Sequence, residues 1–180
     1  MKVAVYFATG YEEIEALAVV DVLRRGHIET LMVGVDSKTV VSARGVAIQM
    51  DTTIDELKIS EIDMMVLPGG VPGIINLEAN EKLMSQLKEF KKQNKWLAAI
   101  CAAPSILGSL GLLEGEQATC YPNYESKLIG CQHVDDKVVV SHKIVTGKGA
   151  GVALDFALKL LEVLKDKETA QTIRKAMIAD

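Results

Sequence analysis

Short apolar runs rich in β-branched residues alternate with helical patterns along the whole chain. "KVAVYFA" (2–8) predicts a buried strand, "YEEIEALAVVDVLRRG" (11–26) a helix and "IETLMVGV" (28–35) a second strand. Strands that alternate with helices are typical of a mainly parallel sheet, because each crossover helix returns the chain to the same edge. The sequence therefore predicts an α/β fold with helices on both faces of the sheet.

The rest of the chain continues this alternation without a repeat or a linker. The same patterns predict strands over 62–70 and 96–100, hairpins over 39–50 and 137–147, and helices over 80–95, 102–113, 151–165 and 167–178. We expect one domain over residues 1–180, since this length and a hydrophobic content of 49% suit a single core.

Charge and cysteine content exclude several classes of function. The net charge is −4 with both signs mixed along the chain, which argues against nucleic acid as the main partner. No apolar run approaches the ~20 residues of a membrane helix, and the N-terminus carries no targeting pattern. Three cysteines without regular spacing predict neither disulfides nor a metal site. We expect a cytoplasmic protein that needs no cofactor.

Cys101 stands between a predicted strand and a predicted helix, in "WLAAICAAPSILG" (96–108). A sharp turn at such a junction exposes a nucleophile at the edge of an α/β sheet, and Pro104 suits a first helical turn. Amides and the dipole at a helix N-terminus would lower the thiol pKa from about 8.5, and the Ala102 N–H would face a developing oxyanion. The alternative is a small core residue, which is what most cysteines in apolar runs are.

A glycine pair follows another predicted strand, in "VLPGGVPG" (66–73). Gly69 and Gly70 would let backbone N–H groups approach a ligand with no side chain in the way. Two such turns at one sheet edge predict a pair of oxyanion donors, although a PGG sequence alone is typical of an ordinary tight turn.

Glu15 lies on a helix that is apolar on every side. It shares a face with Ala18, Val19 and Val22, and a carboxyl on such a face is costly unless it is protonated or paired. Burial and a nearby thiolate would both raise its pKa. A protonated Glu15 could donate a hydrogen bond to the thiolate and then act as a general acid and base. We interpret its neighbour Glu13 as an ordinary solvated residue of the first helical turn.

Five segments together resemble the ThiJ/PfpI superfamily: "EEIEA", "DVLRRG", "SARGV", "VLPGG" and "AAICAAPSILG". The resemblance is to the branch of the human parkinsonism-associated protein deglycase and its bacterial homologues. It implies a flavodoxin-like three-layer sandwich and a homodimer that packs partly through the first helix. It assigns the reactive cysteine to Cys101, its protonated partner to Glu15 and the oxyanion amides to Gly70 and Ala102.

The resemblance also implies roles at the rim of the site. Arg25 and Arg44 match arginines near the pocket and the dimer seam. Tyr121 replaces a histidine of the human branch, which weakens any Cys–His pair. Beside it, Cys120 could serve as a resolving thiol for an oxidised Cys101, the alternative being a small buried residue.

The activities implied are those of a glyoxalase or deglycase acting on small α-oxoaldehydes such as methylglyoxal. The alternative is a redox-sensing stress protein or holdase chaperone that uses the same oxidisable cysteine. Proteolysis is disfavoured, because the protease branch has a histidine directly after its cysteine and this chain has Ala102.

Overall fold

The computed structural model describes residues 1–179, and its centre is a seven-stranded sheet. The strands of this sheet are β1 Lys2–Phe7, β2 Glu29–Gly34, β5 Thr52–Thr53, β6 Met64–Leu67, β7 Trp96–Ile100, β10 Val138–Ser141 and β11 Ile144–Gly147. They lie in the order β10-β11-β7-β6-β1-β2-β5. Every pair in this sheet is parallel except the β10–β11 hairpin at one edge.

Two small sheets lie outside the central one. The predicted hairpin forms from β3 Thr39–Val41 and β4 Ala47–Gln49, which pair antiparallel, while β8 Gln117–Ala118 and β9 Gln132–His133 pair in parallel. The α-helices are α1 Glu13–Arg25, α2 Gly73–Glu78, α3 Glu81–Lys92, α4 Pro104–Ser109, α5 Ala153–Leu164 and α6 Lys167–Ala176. No helix in the described part of the chain is long and apolar enough to span a bilayer.

The central sheet is buried on both faces. In β1, Val3 and Val5 belong to a core cluster with α1 and α5, whereas Ala4 and Tyr6 belong to a second cluster with α3 and α4. Successive side chains of a strand point to opposite faces, so a continuous apolar run fills two cores at once. The predicted α/β architecture, a mainly parallel sheet between two helical layers, is confirmed.

The helix predicted over 102–113 is much shorter than expected. Residues 101–103 form a turn, and α4 begins at Pro104 and ends at Ser109. A side chain at Gly108 would meet the carbonyl oxygen of Lys127, and Gly111 has a φ of +70°. The backbone of Lys127 thus lies close to Gly108, and the chain leaves helical geometry by Gly111. Because α4 has only six residues, its dipole is weaker than that of the longer helix that was predicted.

Glu116 links α3 to the turn between β10 and β11, at the end of the sheet opposite to the loop after β7. The residue is 5% exposed, and its carboxylate lies 2.6 Å from Lys91 Nζ, accepts from Ser141 Oγ at 2.6 Å and lies 2.8 Å from His142 Nδ1. Burial raises the pKa of this carboxyl, but the hydrogen bonds from Lys91, Ser141 and His142 outweigh burial and lower the pKa to about 2. This contribution to stability is present above the ordinary carboxyl pKa and is lost as the pH falls toward 2.

We expect Glu116→Gln to lower the free energy of unfolding at pH 7 by about 3 kcal/mol, because it removes a buried carboxylate that three hydrogen bonds stabilise and leaves the partly buried Lys91 without its counter-charge. Urea denaturation measures the change. The control is Asp135→Asn, which removes an exposed ion pair with Lys148 and should leave stability nearly unchanged. Equal effects of the two substitutions would contradict this account.

Candidate active site

Cys101 directly follows β7 and has a φ of +64°. Non-glycine residues seldom adopt this left-handed conformation, and where they do the surrounding structure must hold them. Here the Cys101 N–H donates to the Gly147 carbonyl at 2.9 Å, and its carbonyl accepts from the Tyr121 N–H at 2.7 Å. The fixed turn leaves the thiol partly exposed at the carboxyl edge of the sheet.

Glu15 is completely buried in the first turn of α1. Its Oε2 accepts a hydrogen bond from the Gly69 N–H at 2.8 Å, and within residues 1–179 no donor reaches its buried Oε1. A Cβ atom at Gly69 would lie 2.7 Å from both Cys101 Cβ and Glu15 Oε2. The absence of a side chain at Gly69 therefore allows the thiol and the carboxyl to lie side by side.

Two backbone amides are directed at the sulfur. The N–H groups of Ala102 and Gly70 both act to lower the pKa of the Cys101 thiol. Gly70 has a φ of +97°, and a side chain there would collide with the backbone of the loop after β1. The three loops that follow β1, β6 and β7 thus meet at one edge of the sheet, as parallel strands require.

Burial raises the pKa of both groups, and ionised Glu15 in addition opposes ionisation of the thiol. Burial raises the pKa of Glu15 to about 7, although the Gly69 N–H and the thiol act against this rise. Burial also raises the pKa of Cys101 to about 12, and the charge of ionised Glu15 adds to the rise. The predicted direction is confirmed for Glu15. The expected acidic thiol is wrong while Glu15 is ionised, because burial and one negative charge outweigh two amides and a short helix.

A cavity of about 440 Å³ opens over the sulfur. Its lining includes Glu15, Arg44, Gly70, Cys101, Ala102 and Tyr121. Six of the residues predicted for the site are therefore brought together. Val71 and Tyr124 also line this cavity and were not predicted. The available signal was their position along the chain, since Val71 directly follows Gly70 and Tyr124 comes three positions after Tyr121.

Glu13 fixes one wall of the cavity and is not the free surface residue that we expected. Its Oε1 accepts from Ser42 Oγ at 2.5 Å and from the Arg44 N–H at 3.2 Å. The Ala43 N–H donates to the Tyr11 carbonyl at 2.8 Å. These contacts dock the tip of the β3–β4 hairpin against the start of α1 and so place Arg44 at the mouth of the cavity.

Two other predicted residues do not line the cavity. Arg25 lies in the last turn of α1, where its Nε pairs with Asp21 at 2.8 Å. Arg25 does not line the cavity of its own chain, because it lies ten positions after Glu15 along α1. Its place at the dimer seam stays a prediction. Cys120 is buried in the core cluster against which Cys101 packs, and burial raises its pKa to about 11.

The histidines lie outside the cavity. His27, His133 and His142 are all exposed, and none lines the space over the sulfur. Among residues 1–179 no three histidine, cysteine or acidic side chains form a group that could hold a metal ion. The chemistry that these described residues offer is a nucleophilic sulfur, a carboxyl able to carry a proton near pH 7, and two amide donors.

Comparison with known proteins agrees with this geometry. Residues 1–163 match the model of the DJ-1/PfpI family. The chain is 35% identical to Arabidopsis thaliana protein DJ-1 homolog B over 98% of its own length but only 41% of that protein, so it spans less than half of that relative. It is 34% identical to a Caenorhabditis elegans protein named glutathione-independent glyoxalase DJR-1.2, covering 92% of this chain and 89% of that one.

A solved structure described as oxidized DJ-1 from Toxoplasma gondii superposes with a TM-score of 0.94 at 39% identity, covering 98% of this chain and 97% of that one. The resemblance that the cysteine and glycine motifs suggested is confirmed over nearly the whole chain. On the combined ground of motif, fold and sequence match, this chain belongs to the DJ-1/PfpI family.

Proposed function

We propose that this protein is a cofactor-independent glyoxalase or deglycase that converts small α-oxoaldehydes such as methylglyoxal to hydroxy acids. The observation that carries the proposal is the buried Glu15 carboxyl beside the Cys101 sulfur, with the amides of Gly70 and Ala102 directed at the same point. This pair can supply a nucleophile and a proton carrier from one position.

The first step is addition of the sulfur to the aldehyde carbon. Above about pH 7 the thiol and Glu15 together hold one proton, and that proton moves to Glu15 as the carbon–sulfur bond forms. The aldehyde oxygen becomes an oxyanion, which the amides of Gly70 and Ala102 stabilise. Glu15 then gives its proton to this oxygen, which leaves a hemithioacetal on Cys101 and a carboxylate on Glu15.

The second step is a proton shift between adjacent carbons. The Glu15 carboxylate removes the proton from the carbon bonded to sulfur, which gives an enediolate, and returns that proton to the neighbouring carbon. The hydroxyl proton on the first carbon passes to the oxygen of the second. The first carbon is thereby oxidised to a thioester and the second reduced to an alcohol. Water hydrolyses the thioester, releasing lactate from methylglyoxal and restoring the thiol. The net reaction consumes one water, and no external reductant is needed.

The name of the C. elegans relative supports this assignment, since it describes a glyoxalase that does not depend on glutathione. To test it, the purified protein is incubated with methylglyoxal in D₂O without glutathione, and the products are followed by NMR. We expect lactate with deuterium partly incorporated at the carbon that Glu15 reprotonates. If no lactate forms, whether or not methylglyoxal is consumed, the proposal is contradicted.

A homodimer and a reducing compartment belong to the same proposal. Ile14 on α1 is 59% exposed, which leaves an aliphatic side chain on this helix uncovered within one chain. A second copy of the chain packed on α1 would cover it. All three cysteines are free thiols, as expected for the cytoplasm. A monomer mass in sedimentation velocity would contradict the dimer.

The second candidate is a redox sensor or holdase that uses the same sulfur. The partly exposed Cys101 and the T. gondii relative described as oxidized favour it. Sequential oxidation would add oxygens to the Cys101 sulfur, with peroxide as the oxidant. Peroxide titration with intact-mass measurement separates the two candidates. A sensor gains oxygens selectively at Cys101 and produces negligible lactate.

A further inference from the structure

Glu12 stands at the N-cap of α1 but does not cap this helix. The side chains of Asn80 and Asp166 each accept a backbone hydrogen bond at the N-caps of α3 and α6, whereas the side chain of Glu12 accepts none. Helices also prefer shorter polar residues at this position, because their side-chain oxygens reach the first free N–H groups. The start of α1 therefore gives no structural reason for a carboxylate at position 12.

The Glu12 side chain instead lines the cavity over Cys101. It is half-buried and forms no hydrogen bond or ion pair with the rest of residues 1–179. Its backbone N–H donates to the Gly69 carbonyl at 2.9 Å, and a Cβ atom on Gly70 would lie 2.5 Å from its nitrogen. Glu12 thus lies directly against the turn whose Gly70 amide is directed at the sulfur.

Glu12 and Glu15 belong to the same helix start. Glu15 comes three positions after the N-cap, and side chains at these two positions lie close together, as they do in a capping box. Burial is the main cause of the raised pKa of Glu15, and the charge of Glu12 adds to it. The cavity therefore contains a second carboxyl near the one that the proposed mechanism uses.

The proton shift of the proposed mechanism includes a transfer for which Glu15 is not free. Glu15 moves the carbon-bound proton, but the hydroxyl proton must also pass from the first oxygen of the substrate to the second. Arg44 has no acceptor atom, and the hydroxyls of Tyr121 and Tyr124 are much weaker bases than a carboxylate. Among the side chains that line the cavity, Glu12 is the remaining group that can accept and return a proton.

We propose that Glu12 carries the hydroxyl proton between the two oxygens of the substrate. Its carboxylate accepts the proton from the oxygen on the first carbon and gives it to the oxygen on the second. The negative charge of the enediolate thereby moves to the first oxygen, where the amides of Gly70 and Ala102 stabilise it. Glu15 then protonates the second carbon, the thioester carbonyl forms, and both carboxylates are restored. This role rests on the proposed function.

Glu12→Gln tests the role, because it keeps the size of the side chain and removes the proton carrier. We expect kcat for methylglyoxal to fall about 10-fold or more, with KM nearly unchanged. Glu12→Asp retains a carboxylate and should lose less. The control is Glu81→Gln, which neutralises an exposed acid in the first turn of α3 and should stay within about 2-fold of the wild type.

A second measurement separates the roles of the two carboxyls. Methylglyoxal is incubated with each variant in D₂O, beside a sample without protein, and NMR follows both lactate and the aldehyde proton of unreacted methylglyoxal. Glu12→Gln should exchange this proton for deuterium but form little lactate, because Glu15 still makes the enediolate and the substrate then reverts. Glu15→Gln should show neither exchange nor lactate.

Two results would overturn the role of Glu12 alone. If Glu12→Gln forms lactate as fast as Glu81→Gln, water or direct transfer between the oxygens is enough to move the hydroxyl proton. If Glu12→Gln loses exchange and lactate together, Glu12 acts before the proton shift. In both cases the wild type still forms lactate, so the proposed function stands. If the wild type forms no lactate, the proposed function and the role of Glu12 fail together.

Discussion

Cys101→Ser is expected to lower kcat/KM for methylglyoxal by about 10³-fold or more. Serine fits the same turn, so the backbone contacts to Gly147 and Tyr121 can persist. A hydroxyl is a far weaker nucleophile than sulfur, and a carboxylate with a pKa of about 7 is too weak a base to activate it. The loss should therefore appear in kcat, with the fold intact by circular dichroism.

The matched control is Cys131→Ser, which changes another partly buried thiol. Its side chain lies outside the cavity, so lactate formation should stay within about 2-fold of the wild type. Substantial activity in Cys101→Ser would remove the covalent mechanism. Equal losses in both variants would indicate a general effect of losing a thiol from the core.

Glu15→Gln is expected to have opposite effects on activity and stability. The amide cannot carry a proton between carbons, so kcat should fall about 10²-fold or more. In the wild type, kcat/KM should rise with pH through about 7, as Glu15 loses the second proton held by the pair. The variant should lose this inflection. Its thiol should also be alkylated at lower pH, because the charge that raises the pKa of Cys101 is gone.

The stability effect follows from the raised pKa of Glu15. A carboxyl whose folded pKa of about 7 lies above its unfolded value of 4.5 contributes stability that is fully present below pH 4.5 and is lost as the pH rises through 7. This change amounts to about 3 kcal/mol. Glutamine keeps the shape and an acceptor for the Gly69 N–H without this loss.

We therefore expect the free energy of unfolding of Glu15→Gln to rise by about 3 kcal/mol relative to that of the wild type as the pH is raised from 4.5 to 8. Urea denaturation at several pH values measures this change. Asp21→Asn, on the exposed side of the same helix, is the control and should show no comparable trend. A difference between wild type and Glu15→Gln that does not change with pH would mean that Glu15 is ionised as easily in the folded protein as in the unfolded chain.

Local patterns were enough to predict most of the architecture. Apolar strands, amphipathic helices and glycine turns follow from neighbouring residues, and parallel strands bring their carboxyl ends together. That is why Cys101, Gly70 and Glu15 could be assigned to one edge before any coordinates were considered. The raised pKa of Glu15 followed from its place on an apolar face.

Features that depend on distant packing could not be predicted. Glu13 looked like an ordinary first-turn acid, because its partner Ser42 lies 29 positions away on a separate hairpin. The short α4 depends on the approach of the Lys127 carbonyl to Gly108. The thiol pKa was expected to fall from local amides, but burial, which depends on the whole fold, acts more strongly.

The hairpin that Glu13 anchors is a separate two-stranded sheet that packs through Val40 on the α1 and α5 face of the central sheet. Arg44 and its neighbours therefore border the entrance from a different sheet from the one whose strand precedes the sulfur. Under the proposed function, selection among ligands and reactivity toward them would be encoded in different parts of this chain. Related proteins could exchange one property during evolution while retaining the other.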